Sequence, residues 1–334
     1  MSTPHSPSFP HRVPGTMPAL LPASPTAMSR TLAAAPRIAL VTAIAALHRD
    51  GDMPILLDAC ARAGLSAEVR AWDDTTVSWR RYDLVLLRSP WDYTERLPHF
   101  LAWCERVAAE SRLLNPIDVV RWNTDKHYLA DLDAAGIPTV PTQFVEPDAF
   151  PLPALRAFLD DDPQAMEFVV KPAVSAGSRD TLRYAASQEF AAANHVGRLL
   201  DAGRSVMLQP YLASVDALGE TGLIYLDGQY SHAIRKGPLL RPNDAGTDAP
   251  FVPEAITARE PSQDERKVGE AVMAVVRARF GETPLAYARV DLIRDRDGHP
   301  QLLELELTEP CLFFATAPDA ADRFVAALGR ALER

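Results

Sequence analysis

The stretch Leu302–Pro310, LLELELTEP, puts Glu304, Glu306 and Glu309 into a run that otherwise reads as buried strand. Residues two apart on a strand share a face, so Leu303, Leu305 and Leu307 point one way and Glu304 and Glu306 the other, about 7 Å apart. Taken alone, this is equally an edge strand with a solvated acidic face. What else lands on that face decides between the two. The preceding run LAYARVDLIRD (285–295) reads as a second strand, and Asp297-Gly298 between the two is a strong two-residue hairpin signal. A hairpin closed on that turn sets Asp291 opposite Glu304 and Arg289 opposite Glu306. Three carboxylates then crowd one face beside one arginine. Like charges about 6 Å apart repel by about 3 kcal/mol per pair at an effective dielectric of about 20. One arginine does not offset that, whereas a divalent cation does. Oxygen ligands without His or Cys select Mg²⁺ or Mn²⁺, and Mg²⁺ characteristically shares a few carboxylates with substrate phosphates. Asp291, Glu304 and Glu306 are therefore the candidate metal ligands.

The rest of the chain sets the frame for that hairpin. Its 334 residues, 47% hydrophobic and 23% charged, suit two or three domains with their own cores. A net charge of -10 argues against a sequence-independent grip on nucleic acid, which needs a basic surface. Cys60, Cys104 and Cys311 are too scattered for a disulfide framework or a metal knuckle, so a reducing cytoplasm fits best. No apolar run reaches the roughly 20 residues of a membrane helix. Residues 1–35, rich in Pro, Ser and Ala, read as a disordered extension, in which Met17 and Met28 leave a later start open.

From residue 36 the pattern changes. RIALVTAIAAL (37–47) opens with a strand, a helix follows near 52–63, SAEVRAW is a second strand and Leu84–Leu87 a third, before a helix at 95–109. This alternation argues for a parallel α/β domain over 36–122, whose ligands sit at the carboxyl ends of strands. Arg88 is the first residue past such an end. It reads as a ligand group or a surface arginine beside a turn, and Trp91 and Tyr93 next to it could wall a substrate pocket. A central domain is expected over 123–208. It opens with a helix capped by Asn123 or Thr124 and closed at Gly136. It then carries Lys171 just past an apolar strand and before the small-residue loop AVSAGS, where backbone N–H groups can approach an anion. Residues 209–334 form the last domain, with a hairpin turning at Asp227-Gly228, a polar connection over 240–262, a helix near 263–280, the acidic hairpin and a terminal amphipathic helix.

These blocks, in this order, resemble the ATP-grasp superfamily, in particular the glutathione synthetase-like ligases, over roughly residues 37 to 326. The resemblance rests on LLRSPWDY, LLNPIDVVRWNTDKHYL, VVKPAVSAGS, LQPYL and RVDL…LLELELTEP. Within that group RSPWDYT, NPIDVVRWNTDK, KPAVSAGSRDT and SHAIRKGP look closest to the O-ureido-serine cyclo-ligases of cycloserine biosynthesis. The resemblance implies an ATP-grasp fold: an N-terminal parallel α/β domain, a central lid domain and a C-terminal antiparallel-sheet domain, with ATP held between the last two. Carried over, Lys126 and Lys171 contact ATP, the loop Ser175, Ala176, Gly177 and Ser178 folds over the triphosphate, and Gln209, Pro210, Tyr211 and Leu212 form the hinge that reads adenine. Asp291, Glu304 and Glu306 match the family's Mg²⁺ positions, for two ions, with Glu306 in place of the usual Asn. Arg88 and the candidate catalytic groups Arg289 and Arg235 fall among substrate- or phosphate-binding positions, and Lys236, a third candidate catalytic group, reads from the residues as a phosphate ligand or a solvated surface lysine.

The implied chemistry is ATP-dependent carboxylate–nitrogen ligation on a small amino-acid-like substrate through an acyl phosphate, between two molecules or by ring closure within one. The alternatives are phosphate transfer without ligation and a non-catalytic nucleotide-binding protein. No side-chain nucleophile is required, and Cys311 reads as an inert buried thiol. His232 faces ligand or plays a structural part, Glu309 is a substrate-side or structural acid, and assembly of several copies of the chain stays open.

Overall fold

In the computed structural model the described residues are Met1, 36–241, 255–281 and 285–333. The extension expected to be disordered therefore lies outside them, Met1 apart. Downstream, the first apolar runs form a parallel sheet of β1 (Arg37–Thr42), β2 (Ser66–Ala71), β3 (Leu84–Ser89) and β4 (Arg112–Leu114), in the order β2-β1-β3-β4. Two helices, α1 (Asp52–Arg62) and α2 (Leu97–Glu110), cover its two faces. Strand alternation sorts the contacts. Ile38, Leu40, Leu84 and Leu86 meet Met53 and Leu56 of α1, whereas Ala39, Val41, Val85 and Leu87 meet Phe100, Trp103 and Val107 of α2.

The helix expected from residue 123 or 124 begins only at Tyr128, as α4 (Tyr128–Ala134), and a separate helix, α3 (Ile117–Asn123), ends where it was expected to start. Asn123 ends a helix instead of starting one. Its side chain donates to the Leu305 carbonyl at 2.7 Å and accepts from the Leu307 N–H at 2.6 Å. Tertiary pairing with the acidic strand has claimed the amide that local sequence would assign to a cap.

The central sheet combines β5 (Gln143–Val145), β6 (Glu167–Pro172), β7 (Leu182–Ala185) and β8 (Val206–Pro210), antiparallel throughout in the order β5-β8-β6-β7. Its helices α5 (Pro151–Asp161) and α6 (Glu189–Asp201) bury Phe168, Val170, Val206 and Leu208 on one face. The alternate residues Val169, Lys171 and Gln209 line a cavity on the other. Strand β8 runs on to Pro210, so the domain boundary expected at 208/209 falls inside a strand.

The last five strands form one antiparallel sheet. After α7 (Ser214–Leu218) come β9 (Glu220–Leu226), β10 (Gln229–Lys236) and β11 (Ile256–Ala258), then α8 (Gln263–Phe280), β12 (Tyr287–Arg294), β13 (Pro300–Glu306) and α9 (Ala320–Glu333). The strand order is β11-β10-β9-β12-β13. Asp227 and Gly228 make the expected two-residue turn, both with positive φ (51° and 70°). The expected irregular connection over 240–262 contains edge strand β11, and its residues 242–254 lie outside the described set.

The acidic hairpin has the expected register around its charges, Asp291 opposite Glu304 and Arg289 opposite Glu306, but reaches it by another route. The turn is wider: Arg294 pairs with Pro300, and Asp295 N–H donates to the His299 carbonyl at 2.9 Å. A register shift between Asp291 and Leu292 then leaves Leu303 unpaired and restores the alignment. Leu303 leaves the face of Leu305 and Leu307 and packs with Tyr211 and Ile293 instead.

Candidate active site

The cavity under the central sheet has a volume of about 640 Å³, within the roughly 300–1,000 Å³ of small-molecule sites. Its two ends differ in chemistry. At one end Val140, Leu212, Val215, Ile293 and Leu303 pack together beside Gln209, Pro210 and Tyr211, making an apolar slot for a flat ring. Gln209 is fixed by its amide donating to Thr142 Oγ1 at 2.7 Å, and the Arg183 guanidinium lies 3.5 Å over the Tyr211 ring.

The other end is a floor of ions carried by β9, β10, β12 and β13. Arg289 donates through Nε to Asp291 Oδ1 at 2.9 Å and through Nη2 to Asp291 Oδ2 at 3.0 Å, and it also pairs with Glu306. Lys236 bridges Asp291 at 3.0 Å and Glu220 at 3.1 Å. Lys126 reaches Glu304 at 3.1 Å and the Ser175 carbonyl at 2.8 Å. Burial pulls the pKa of Lys171 down to about 8, against the attraction of Glu304. The acids respond unequally. Burial opposes ionisation of Asp291, but Arg289 and Lys236 hold it down to about 2. Glu304 is also lowered, against burial, by Lys126 and Lys171. Burial pushes Glu306 up to about 8 against the pull of Arg289, with Glu304 and Asp291 adding repulsion.

This floor corrects the repulsion argument made from the hairpin. That argument counted one arginine, whereas Lys126, Lys171, Lys236 and Arg289 together face Glu220, Asp291, Glu304 and Glu306. Balance is thus reached among side chains. Among the described residues, the three expected metal ligands do not converge on a point. The group whose ligand atoms all lie within 4.8 Å of one another is Asp295, Asp297 and His299 at the hairpin tip, away from the cavity.

The walls come from two further segments. Loop Ser175–Ser178 lines the cavity, with Gly177 and Ser178 at positive φ (63° and 58°), a backbone form suited to turning N–H groups toward an anion. Asp180, held by Arg204 at 2.6 Å, fixes the base of the loop, and Arg179 pairs across the cavity mouth with Glu95. Trp91, Tyr93 and Glu95 of the turn after β3 form the facing wall. Beside Tyr93, burial pushes Glu309 up to about 7 against a hydrogen bond from the Tyr93 hydroxyl.

Lys126, Lys171, the Ser175–Ser178 loop, Gln209 to Leu212, Lys236, Arg289, Trp91, Tyr93, Glu304 and Glu306 therefore all line one cavity. Three expected residues do not. Asp291 is 1% exposed and turned to Arg289 and Lys236. Arg235 follows strand alternation to the far side of β10, where it donates to the Leu218 carbonyl at 2.8 Å. Arg88 is fully buried, donating to the Pro310 carbonyl at 3.2 Å, with Asp52 at 3.5 Å and Asp50 at 3.9 Å. His232 is held between Ser231 Oγ at 2.9 Å and the Leu312 carbonyl at 2.8 Å, and burial pushes the Cys311 thiol up.

Sequence reasoning missed Glu220. It opposes Lys236 only because a register shift between Tyr230 and His232 moves the β9–β10 pairing by one residue. The Arg179–Glu95 closure spans 84 residues, and nothing local announced it.

Comparison with known proteins converges on one family. The family described as D-cycloserine synthetase DcsG, N-terminal domain, matches residues 38–115. The cycloserine biosynthesis protein DcsG of Streptomyces lavendulae is 47% identical over 297 residues, 89% of this chain and 99% of that protein. The crystal structure of D-cycloserine synthetase DcsG matches with a TM-score of 0.84 at 47% identity, over 89% of this chain and 99% of that chain. D-alanine–D-alanine ligase from Bacillus anthracis, at 18% identity, has a TM-score of 0.60 over 90% of this chain and 97% of its own, which shows the shared fold alone. With 99% of the Streptomyces lavendulae protein covered at 47% identity, the chain belongs to the D-cycloserine synthetase family of ATP-grasp ligases, which are ATP-dependent enzymes.

Proposed function

We propose that this enzyme activates the carboxylate of a small amino-acid-like substrate with ATP and closes a ring onto a nitrogen of the same molecule, as expected of a cycloserine-forming ligase. One observation carries the reading: a single cavity joins an apolar slot, walled by Val140, Leu212 and Ile293, to a floor of paired cations and carboxylates. The slot suits adenine, and the loop Ser175–Ser178 suits the phosphates. A carboxylate oxygen of the substrate attacks the γ-phosphorus and ADP leaves, giving an acyl phosphate. The nitrogen bound to the side-chain oxygen then attacks the carbonyl carbon, the carbon–oxygen bond to phosphate breaks and the nitrogen gives up a proton, and water removes its carbamoyl group as carbamate to leave the free ring.

Lys126, Lys171, Lys236 and Arg289 spread positive charge where negative charge gathers on the transferring phosphoryl. Arg289 has the planar fork that fits a carboxylate or phosphate. The wall of Trp91 and Tyr93 excludes water that would hydrolyse the acyl phosphate, with Arg179–Glu95 closing the mouth. Ring closure gains from proximity, since both reacting groups belong to one bound molecule.

Glu304 and Glu306 offer hard oxygens on the cavity wall and fit a divalent cation of the Mg²⁺ or Mn²⁺ kind, with Asp291 behind them keeping Arg289 and Lys236 in place. Such a cation, bound with the triphosphate, would neutralise oxygens that the lysines alone do not cover. Two such ions would serve the triphosphate, and the chain works as three domains whose second boundary, expected at 208/209, follows Pro210 at the end of β8. The test is incubation with MgATP and O-ureido-serine. ADP, phosphate and cyclic product should appear in equal amounts. A phosphorylated substrate without ring closure would favour phosphotransfer, and no ADP at all would favour a binding protein.

A further inference from the structure

Behind the Glu309 wall lies a knot of buried polar groups that the reaction above does not use. Residues 309–314, EPCLFF, leave strand β13 and cross beneath the parallel sheet. Glu309, Cys311 and Phe313 line the cavity, although the segment contains no regular element before the short turn Phe314–Thr316. Its shape is set from outside. The Asp52 carboxylate, from the first turn of α1, accepts from three successive N–H groups: Leu312 at 2.6 Å, Phe313 at 2.9 Å and Phe314 at 2.8 Å. The carbonyls are taken as well. Trp91 Nε1 donates to Glu309 O at 3.2 Å, Arg88 to Pro310 O at 3.2 Å, Arg289 to Cys311 O at 3.1 Å, and His232 Nε2 to Leu312 O at 2.8 Å.

Phe313 sits at φ 52°, a left-handed conformation that a residue with a Cβ adopts only when its surroundings impose it. Wrapping three successive N–H groups around one anion is what imposes it here. Asp52 is 6% exposed, and its charge is met by those donors and by Arg88 at 3.5 Å. The carboxylate thus belongs to helix α1, which packs on the N-terminal sheet, while the segment it shapes carries the wall of the ligase cavity and one of the anchors of Arg289.

We propose that Asp52, with Arg88 behind it, is a positioning residue for ligation: it holds 309–314 in the one conformation that keeps Glu309, Cys311 and Arg289 in register with the bound substrate. This rests on the proposed ligase reading. The segment's fixed shape decides whether the acyl phosphate meets the substrate nitrogen or water. Losing Asp52 therefore uncouples ATP consumption from product rather than blocking nucleotide binding.

The experiment measures ADP release and cyclic product together for the wild type, Asp52→Asn and Asp52→Glu, with MgATP and O-ureido-serine. Asn keeps the size but brings an NH₂ group against three N–H donors, and Glu keeps the charge but displaces it by one methylene. The expected result is a fall in kcat for product of about 100-fold, with KM for ATP within about 3-fold of wild type and ADP in clear excess over product. A folded variant that stays fully coupled, or one in which ADP and product fall in proportion with the folded fraction, overturns the proposal. If neither variant folds, hydrogen exchange of the wild-type amides of 312–314 decides: exchange that is slow and slowed further by substrate supports it, and exchange at open-loop rates overturns it. A wild-type chain that releases no ADP defeats the ligase reading itself, and that outcome is distinct from a coupled Asp52 variant.

Discussion

Two clusters of buried charge in this molecule use the same kinds of side chain to different ends. On the cavity floor, Arg289 and Lys236 hold Asp291, while Glu304 and Glu306 keep part of their surface open, with side chains 27% and 24% exposed. In the knot under 309–314, Arg88 lies between Asp50 and Asp52 with 0% exposure. The floor leaves oxygens for a ligand to take over, so its ion pairs are exchangeable. The knot is sealed and spends its charge on the main chain. Buried ion pairs contribute little net stability, yet breaking one is costly because the partner is left uncompensated. The difference lies in whether a ligand is able to restore the missing partner.

Five substitutions would break or sharpen that contrast. The largest effect belongs to the floor: Glu304→Gln should cut ATP-dependent turnover by about 1,000-fold or more while circular dichroism and melting stay near wild type. Near-normal turnover would remove Glu304 from the machinery. On the sealed side, Arg88→Met should cost about 3–5 kcal/mol in urea unfolding, because Asp50 and Asp52 lose their cation. A loss below about 1 kcal/mol would mean that the knot does not depend on its arginine.

Neighbouring residues of β10 give the next test. Lys236→Met should slow turnover by about 100-fold, and Arg235→Met by less than about 3-fold, since only Lys236 lines the cavity. Equal losses would contradict this placement. The smallest effect concerns pH. Burial raises the pKa of Asp50, despite Arg88, and its Oδ2 has no hydrogen-bond partner among the described residues. A carboxyl raised on folding favours the folded state at low pH, and that contribution disappears as pH climbs through the folded pKa. Asp50→Asn, fixed in the neutral form, should therefore be more stable than wild type at pH 7 by up to about 1 kcal/mol, with the gap closing toward pH 4. Chemical denaturation at both pH values measures it, and a variant equally destabilised at each would show that Asp50 works as an anion.

How much of this was legible depends on how local each cause is. Glu304 and Glu306 could be read because strand alternation acts between neighbours, and the opposing Asp291 and Arg289 because a hairpin pairs residues close in sequence. Even there the match owed something to compensation, since the turn was wider than expected and a register shift restored it. The same kind of shift on β10 hid Glu220. Arg88 was misassigned for another reason: β3 runs on to Ser89, so Arg88 lies inside the strand and not past its end, and nothing nearby in sequence announces the Pro310 carbonyl that it meets from 222 residues away.

The sequence by itself therefore determined the alternating α/β frame, the two-residue turn at Asp227-Gly228, the acidic strand and the order of blocks that marks an ATP-grasp ligase. Each follows from residues within a few positions of one another, where backbone preference and side-chain period act directly. Only the tertiary structure decided which cations answer the acids, which arginine faces the cavity, and how 309–314 is shaped. Those outcomes depend on side chains brought together from distant segments, where the need to satisfy every buried charge and N–H group overrides local preference.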